Sequence, residues 1–180
     1  MRIGALAGEA GVKVIFRPFL LGPIFKAQGW TTSPFNLYPD KGRHMWRDLE
    51  RICADLGLPF RRPDPFPQNS LLAARVALVG LRKNWGEAFC GAIFRAQFGE
   101  AREIEGPGAI ADILTELNVE PATALAAAQS DDNKALLRAQ TEDARRRGLF
   151  GAPSFVTADG ELFWGNDRLE RALRWAARGG

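Results

Sequence analysis

Apolar positions recur along this chain with a helical period through its middle and a strand-like period near its two ends. Ile3, Leu6, Ala7 and Ala10 fall at the i, i+3, i+4, i+7 spacing of one helix face, and Gly11 closes that helix. Val12–Phe16 is apolar and rich in β-branched residues, which predicts a strand stopped at Arg17-Pro18. From Phe19 to Asp40 no period holds. Gly22-Pro23, Gly29, Ser33-Pro34 and Tyr38-Pro39 break the pattern, predicting a long aromatic-rich loop of the kind that lines a site. Met45, Leu49, Ile52 and Leu56 then make the stripe of a helix over Arg43–Leu56.

Past a proline-rich link, Pro59–Pro67, Asn69 or Ser70 caps a helix running through Leu71, Val76 and Val79. Trp85, Phe89, Ile93 and Ala96 make the next stripe, and Ile110, Ile113, Leu114 and Leu117 another. Helices at Pro121–Ala128 and Asp131–Arg147 follow. Strands return at Ser154–Ala158 and Glu161–Trp164, flanking Asp159-Gly160, which predicts a type I′ hairpin. The last helix starts at Asn166 and runs through Leu169, Ala172, Leu173 and Ala176. The order predicts an α/β layer interrupted by an all-helical insertion. Residues 1–40 and 148–180 form the layer, and residues 41–147 the insertion.

Composition narrows the function classes. Hydrophobic residues at 46% and charged residues at 25% are those of a soluble globular protein. The net charge of +3 comes from basic residues scattered among acidic ones, a solvated face and not the basic stripe of a nucleic-acid binder. Arg145-Arg146-Arg147 ends a helix, where it complements the dipole. No run approaches the roughly 18 apolar residues of a membrane span, and the first residues carry no export signal, so a cytoplasmic location is expected. Cys53 and Cys90 are far apart on apolar stripes, which predicts buried hydrophobes and rules against disulfide exchange, a reaction needing a thiol pair. His44, the single histidine, reads as a surface or cap residue, so no metal site is expected.

Chemistry concentrates at one end of the predicted hairpin. The turn Gly151-Ala152-Pro153 and the helix start Trp164-Gly165-Asn166-Asp167-Arg168 both present backbone groups outward. Free N–H groups around Asn166 and Asp167 suit an anion, although an ordinary N-cap would use the same residues.

Five motifs occur here in a familiar order: Arg17-Pro18-Phe19-Leu20-Leu21-Gly22, Lys41-Gly42-Arg43 with Asp48, Phe66-Pro67-x-Asn69, Phe150-Gly151-Ala152-Pro153 and Trp164 to Arg168. In that order the chain resembles 2-hydroxychromene-2-carboxylate isomerases over essentially its whole length. Those enzymes are similar to kappa-class glutathione transferases and, more distantly, to periplasmic disulfide oxidoreductases. The resemblance implies a thioredoxin-like fold with a helical insertion, a homodimer, and glutathione as cofactor in aromatic degradation. It implies a cis Ala152–Pro153 bond whose Ala152 backbone pairs with the cysteinyl part of glutathione, with Pro153, Trp164 and Gly165 beside it. Asn166 and Asp167 would hold the γ-glutamyl end and Lys41 the carboxylate tail.

The implied reaction is cis–trans isomerisation of 2-hydroxychromene-2-carboxylate to trans-o-hydroxybenzylidenepyruvate through a transient thiol adduct. Phe25, Lys26, Trp30, Arg43 and Asn69 are the candidates for holding the aromatic carboxylate. A kappa-like transferase and a non-catalytic glutathione-binding module are the alternatives. The family opens with a strand and a serine that supports the thiolate, whereas this chain opens in the following helix. No catalytic residue is therefore assigned, and the expectation is that Met1 is internal and that strand and serine precede it.

Overall fold

The computed structural model describes residues 2–179. Helix α1 spans Ile3–Glu9, and Ala7 is the residue it buries. The segment after it departs from expectation. Val12, Val14 and Phe16 are half-buried while Lys13, Ile15 and Arg17 are exposed, so the period-two pattern holds. Yet Val12–Phe16 is not a strand: beyond the Val12 N–H bond to the Ala7 carbonyl at 2.9 Å, its backbone pairs with no other segment among the described residues. Alternation selects the buried face, but a strand also needs a ladder partner, which a local pattern cannot supply.

The predicted loop at Phe19–Asp40 is also corrected. It folds into two short helices, α2 (Leu21–Ala27) and α3 (Pro34–Leu37). Pro23 and Pro34 read as breakers, but both sit in a first turn, where no N–H is needed for the helix ladder. Ser33 caps α3, its hydroxyl accepting from the Phe35 N–H at 3.3 Å. Pro39 likewise opens α4 (Pro39–Asp55) one turn earlier than the predicted Arg43. Its buried stripe centres on Trp46, whose ring meets Phe66 edge-on at 4.8 Å, while Leu56 stays exposed.

The middle of the chain is helical as its periodicity predicts: α5 (Leu71–Leu81), α6 (Gly86–Phe94) continuing into a π turn at Arg95–Gly99, α7 (Gly106–Glu116), α8 (Pro121–Ala128) and α9 (Asp131–Arg146). Val76, Phe89, Ile110, Ile113 and Leu114 are fully enclosed at the centre of one apolar cluster drawn from α5 to α8.

Strands β1 (Ser154–Val156) and β2 (Leu162–Trp164) pair antiparallel, with Phe155 opposite Phe163. The turn between them is not the expected two-residue type. Thr157 and Glu161 still pair at 3.0 Å, and within the three residues between them only Gly160 has positive φ. That is the three-residue loop with a bulge, which needs one left-handed residue instead of two. A 3₁₀ turn at Asn166–Arg168 precedes α10 (Leu169–Ala176), so the regular helix begins three residues later than predicted.

The hairpin's faces serve two further clusters. Phe155 joins Val12 and Val14 against Ala7, Leu169 and Leu173. Val156 and Leu162 turn to the opposite side, against Ile24, Ala144 and Leu149. One face thus packs on α1 and α10 and the other on α2 and α9, which makes a layered α/β arrangement.

Candidate functional site

Three contacts draw the two ends of the hairpin motif together. Ser154 stands opposite Trp164, the Gly165 N–H donates to the Pro153 carbonyl at 3.0 Å, and the nitrogen end of the Trp164 indole abuts Gly151. A Cβ on Gly151 would collide with Trp164 Nε1, so a side chain there and the indole cannot share the space. The Phe150 ring packs tilted on the indole, with centroids 4.9 Å apart.

The peptide bond between Ala152 and Pro153 is cis. Ala152 is exposed, and neither its N–H nor its carbonyl has a backbone partner among the described residues. The N–H groups of Asn166 and Asp167 are likewise without an acceptor, since the turn's own bonds run from Arg168 to Gly165 and from Leu169 to Asn166. Gly165, at φ +111° and ψ 149°, sets the angle between these two sets of groups. The Asp167 carboxylate folds back over it and pairs with Arg168 at 2.8 Å.

Arg2 joins this end without having been singled out from the sequence. Its guanidinium forms an ion pair with Glu170 and donates to the Asn166 carbonyl at 3.0 Å. The hydrogen bond from Arg2 holds the Glu170 carboxyl below its ordinary range. Arg2 Nε is buried with no partner. The partners lie 164 and 168 residues away in the chain, so no local signal links them. Asp159, read only as a turn residue, has a second task. It accepts from Trp175 Nε1 at 2.8 Å, tying the hairpin tip to α10; the hydrogen bond from the Thr157 hydroxyl, and after it this indole, holds its carboxyl below the ordinary range.

The remaining predicted residues lie on α2 and the segment after it, on α4, and at the start of α5. Lys41 is exposed on the first turn of α4, its ammonium 4.8 Å above the Tyr38 ring. The Phe25 and Trp30 rings meet tilted, with centroids 5.6 Å apart, beside the end of α2, and Lys26 is exposed on that helix. Arg43 pairs with Asp40, and Asn69 Oδ1 accepts from the Leu71 N–H at 3.0 Å at the start of α5. Burial raises both thiols, that of Cys90 to about 11, with Glu87 adding to the effect. Both cysteines are free, and no group of metal-ligating side chains occurs among the described residues. Nor, among these, is any helix long and apolar enough to cross a membrane.

A cis-proline turn facing a helix start across a small sheet, with a large helical segment inserted before the hairpin, defines the thioredoxin-like class. Residues 1–174 match the DSBA-like thioredoxin domain, and the chain belongs to that family. It is 26% identical over 174 residues to the Caenorhabditis elegans protein named glutathione S-transferase kappa 2, covering 89% of this chain and 77% of that one. Its fold matches a solved 2-hydroxychromene-2-carboxylate isomerase with a TM-score of 0.84 and 22% identity, over 98% of this chain and 86% of the other. Both relatives are named as enzymes.

Proposed function

We propose that this chain binds glutathione at the Ala152–Asn166 end of the hairpin and acts as a glutathione-dependent cis–trans isomerase. Its substrate would be 2-hydroxychromene-2-carboxylate or a related aromatic intermediate. The observation that carries the reading is the pairing of an exposed, unbonded Ala152 backbone with unbonded Asn166 and Asp167 N–H groups across Gly165.

These residues fit the tripeptide part by part. The Ala152 N–H and carbonyl offer a two-bond ladder to a peptide backbone. The amides of Asn166 and Asp167, with Arg2 behind the Asn166 carbonyl, favour a carboxylate. The Asp167 carboxylate favours the ammonium that accompanies it. Lys41, which has no carboxylate partner among the described residues, would take the tail. Bound glutathione would supply the thiol whose reversible addition to a conjugated double bond lets that bond rotate. The protein's own part is to fix the tripeptide at both ends and to hold an aromatic carboxylate nearby. Phe25, Lys26, Trp30 and Arg43 are the candidates for the second task. Asn69 is a weaker one, since its side chain already caps α5. In this reading residues 1–40 and 148–180 form the glutathione-holding unit, and residues 41–147 are the insertion.

Calorimetric titration with glutathione tests the first half. Replacing Asp167 by Asn removes one charge-assisted contact, for which about a tenfold weaker affinity is expected. Equal affinity of wild type and D167N would overturn the site. A cis–trans isomerisation assay tests the second half. The likeness to a kappa-class protein favours a transferase as the second reading, and conjugation of an electrophile to glutathione without isomerisation would select it.

A further inference from the structure

A second cleft, lined by no residue of the hairpin, lies where the starts of α2 and α5 meet the middle of α9. It has a volume of about 240 Å³, below the roughly 300–1,000 Å³ of sites for drug-sized ligands, so its occupant is small. Leu20, Pro23, Leu71 and the buried Leu137 give it an apolar floor. Thr141 forms the joint: its hydroxyl accepts from the Leu20 N–H at 3.2 Å and holds the start of α2 against α9.

Charge around the rim is unbalanced. Arg75, Lys134 and Arg138 line the cleft against one acid, Glu142, which is engaged by Arg145 at 2.9 Å. Lys134 is held by Asp131 at 3.3 Å. Among the described residues neither Arg75 nor Arg138 has a carboxylate partner. Lys134 and Arg138 are like charges one helical turn apart, an arrangement that is unfavourable on its own. Arg75 spends one donor on the neutral side chain of Gln129 at 3.0 Å, and its Nε is buried with no acceptor. A buried donor is normally satisfied, and a guanidinium with a free Nε and no carboxylate beside a cleft is suited to an anion with two acceptor oxygens.

We propose that this cleft is a binding site for a small carboxylate with an apolar body, the acid group on Arg75 and Arg138 and the body on Leu20, Leu71 and Leu137. None of the residues assigned to glutathione lines it, so the site stands or falls independently of the hairpin.

The test is a titration of the full chain with trans-cinnamate, followed by amide chemical shifts in ¹H–¹⁵N spectra. Cinnamamide, the uncharged isostere, is the comparison ligand. Saturable binding of cinnamate is expected, with the largest shifts at Leu20, Leu71 and Arg138. Cinnamamide and the variant Arg138→Gln should each bind at least about five times more weakly. Arg138 is exposed, so its replacement leaves the core intact, and an unchanged circular dichroism spectrum checks this. Glutathione titrated into R138Q should bind as in wild type, which separates failure of this site from failure of the hairpin site. Equal binding of acid and amide, an unaffected R138Q, or no saturation by about 10 mM cinnamate would each overturn the proposal.

Discussion

Replacing Gly165 by Ala attacks the residue that joins the two halves of the hairpin site. Its φ of +111° with ψ of 149° lies at the edge of a region that is essentially restricted to glycine, so a side chain there costs about 1–3 kcal/mol in backbone strain alone. The new Cβ would also stand 2.6 Å from Asp167 Oδ1. Because that atom ends a flexible side chain, the carboxylate would swing away and no core would be disrupted. The stability loss expected is therefore the backbone cost, about 1–3 kcal/mol. The displaced carboxylate acts separately, on ligand affinity. Gly160→Ala is the matched control: Gly160 has φ +90°, but a Cβ there meets nothing within 4 Å. Urea denaturation of wild type, G165A and G160A, with glutathione calorimetry on each, separates the effects. Both variants should lose stability, and only G165A should lose affinity, by about tenfold for one charge-assisted contact. G165A with wild-type stability would refute the strain argument. G165A that is destabilised yet binds normally would remove Asp167 from the site.

Two further outcomes follow from the charges and thiols. Arg2 depresses the pKa of Glu170 in the folded chain, so the stability it contributes is present above the ordinary carboxylate value of 4.5 and is lost as pH falls through the folded value. Since both side chains are partly exposed, at 29% and 42%, the contribution is about 0.2–1 kcal/mol. Urea midpoints of wild type and Glu170→Gln should differ at pH 7, and the gap should narrow as the pH falls below 4.5; a gap that stays constant down to the acid transition would contradict the assignment. The Cys90 thiol, at about 11, is about 0.1% ionised at pH 8. A thiol-reactive disulfide reagent at pH 8 should therefore label Cys53 before Cys90, and Cys90 promptly only in denaturant. Fast labelling of Cys90 in the native chain would contradict its burial.

Local physics on the chain was enough for much of the fold. The helical run from α5 to α9 is legible in stripes such as Ile110, Ile113 and Leu114, because a helix closes its hydrogen bonds within one segment and its buried face repeats in sequence. The hairpin was legible for a similar reason: turns need particular residues at particular places. The prolines at 23, 34 and 39 misled, since a proline that breaks a helix and one that opens it look alike until the turn is located.

Tertiary structure decided whatever depends on a distant partner. Val12–Phe16 carries strand alternation, yet ladder pairing is a property of two segments, and among the described residues it is not made. Arg2 reaches Glu170 across 168 positions. Arg75 meets Arg138 and Lys134 in one cleft only because α5 and α9 pack together. A sequence orders neighbours along a line, and it could name the residues suited to hold a small anion. Which of them face one another is set by packing, where apolar faces find the partners that bury them.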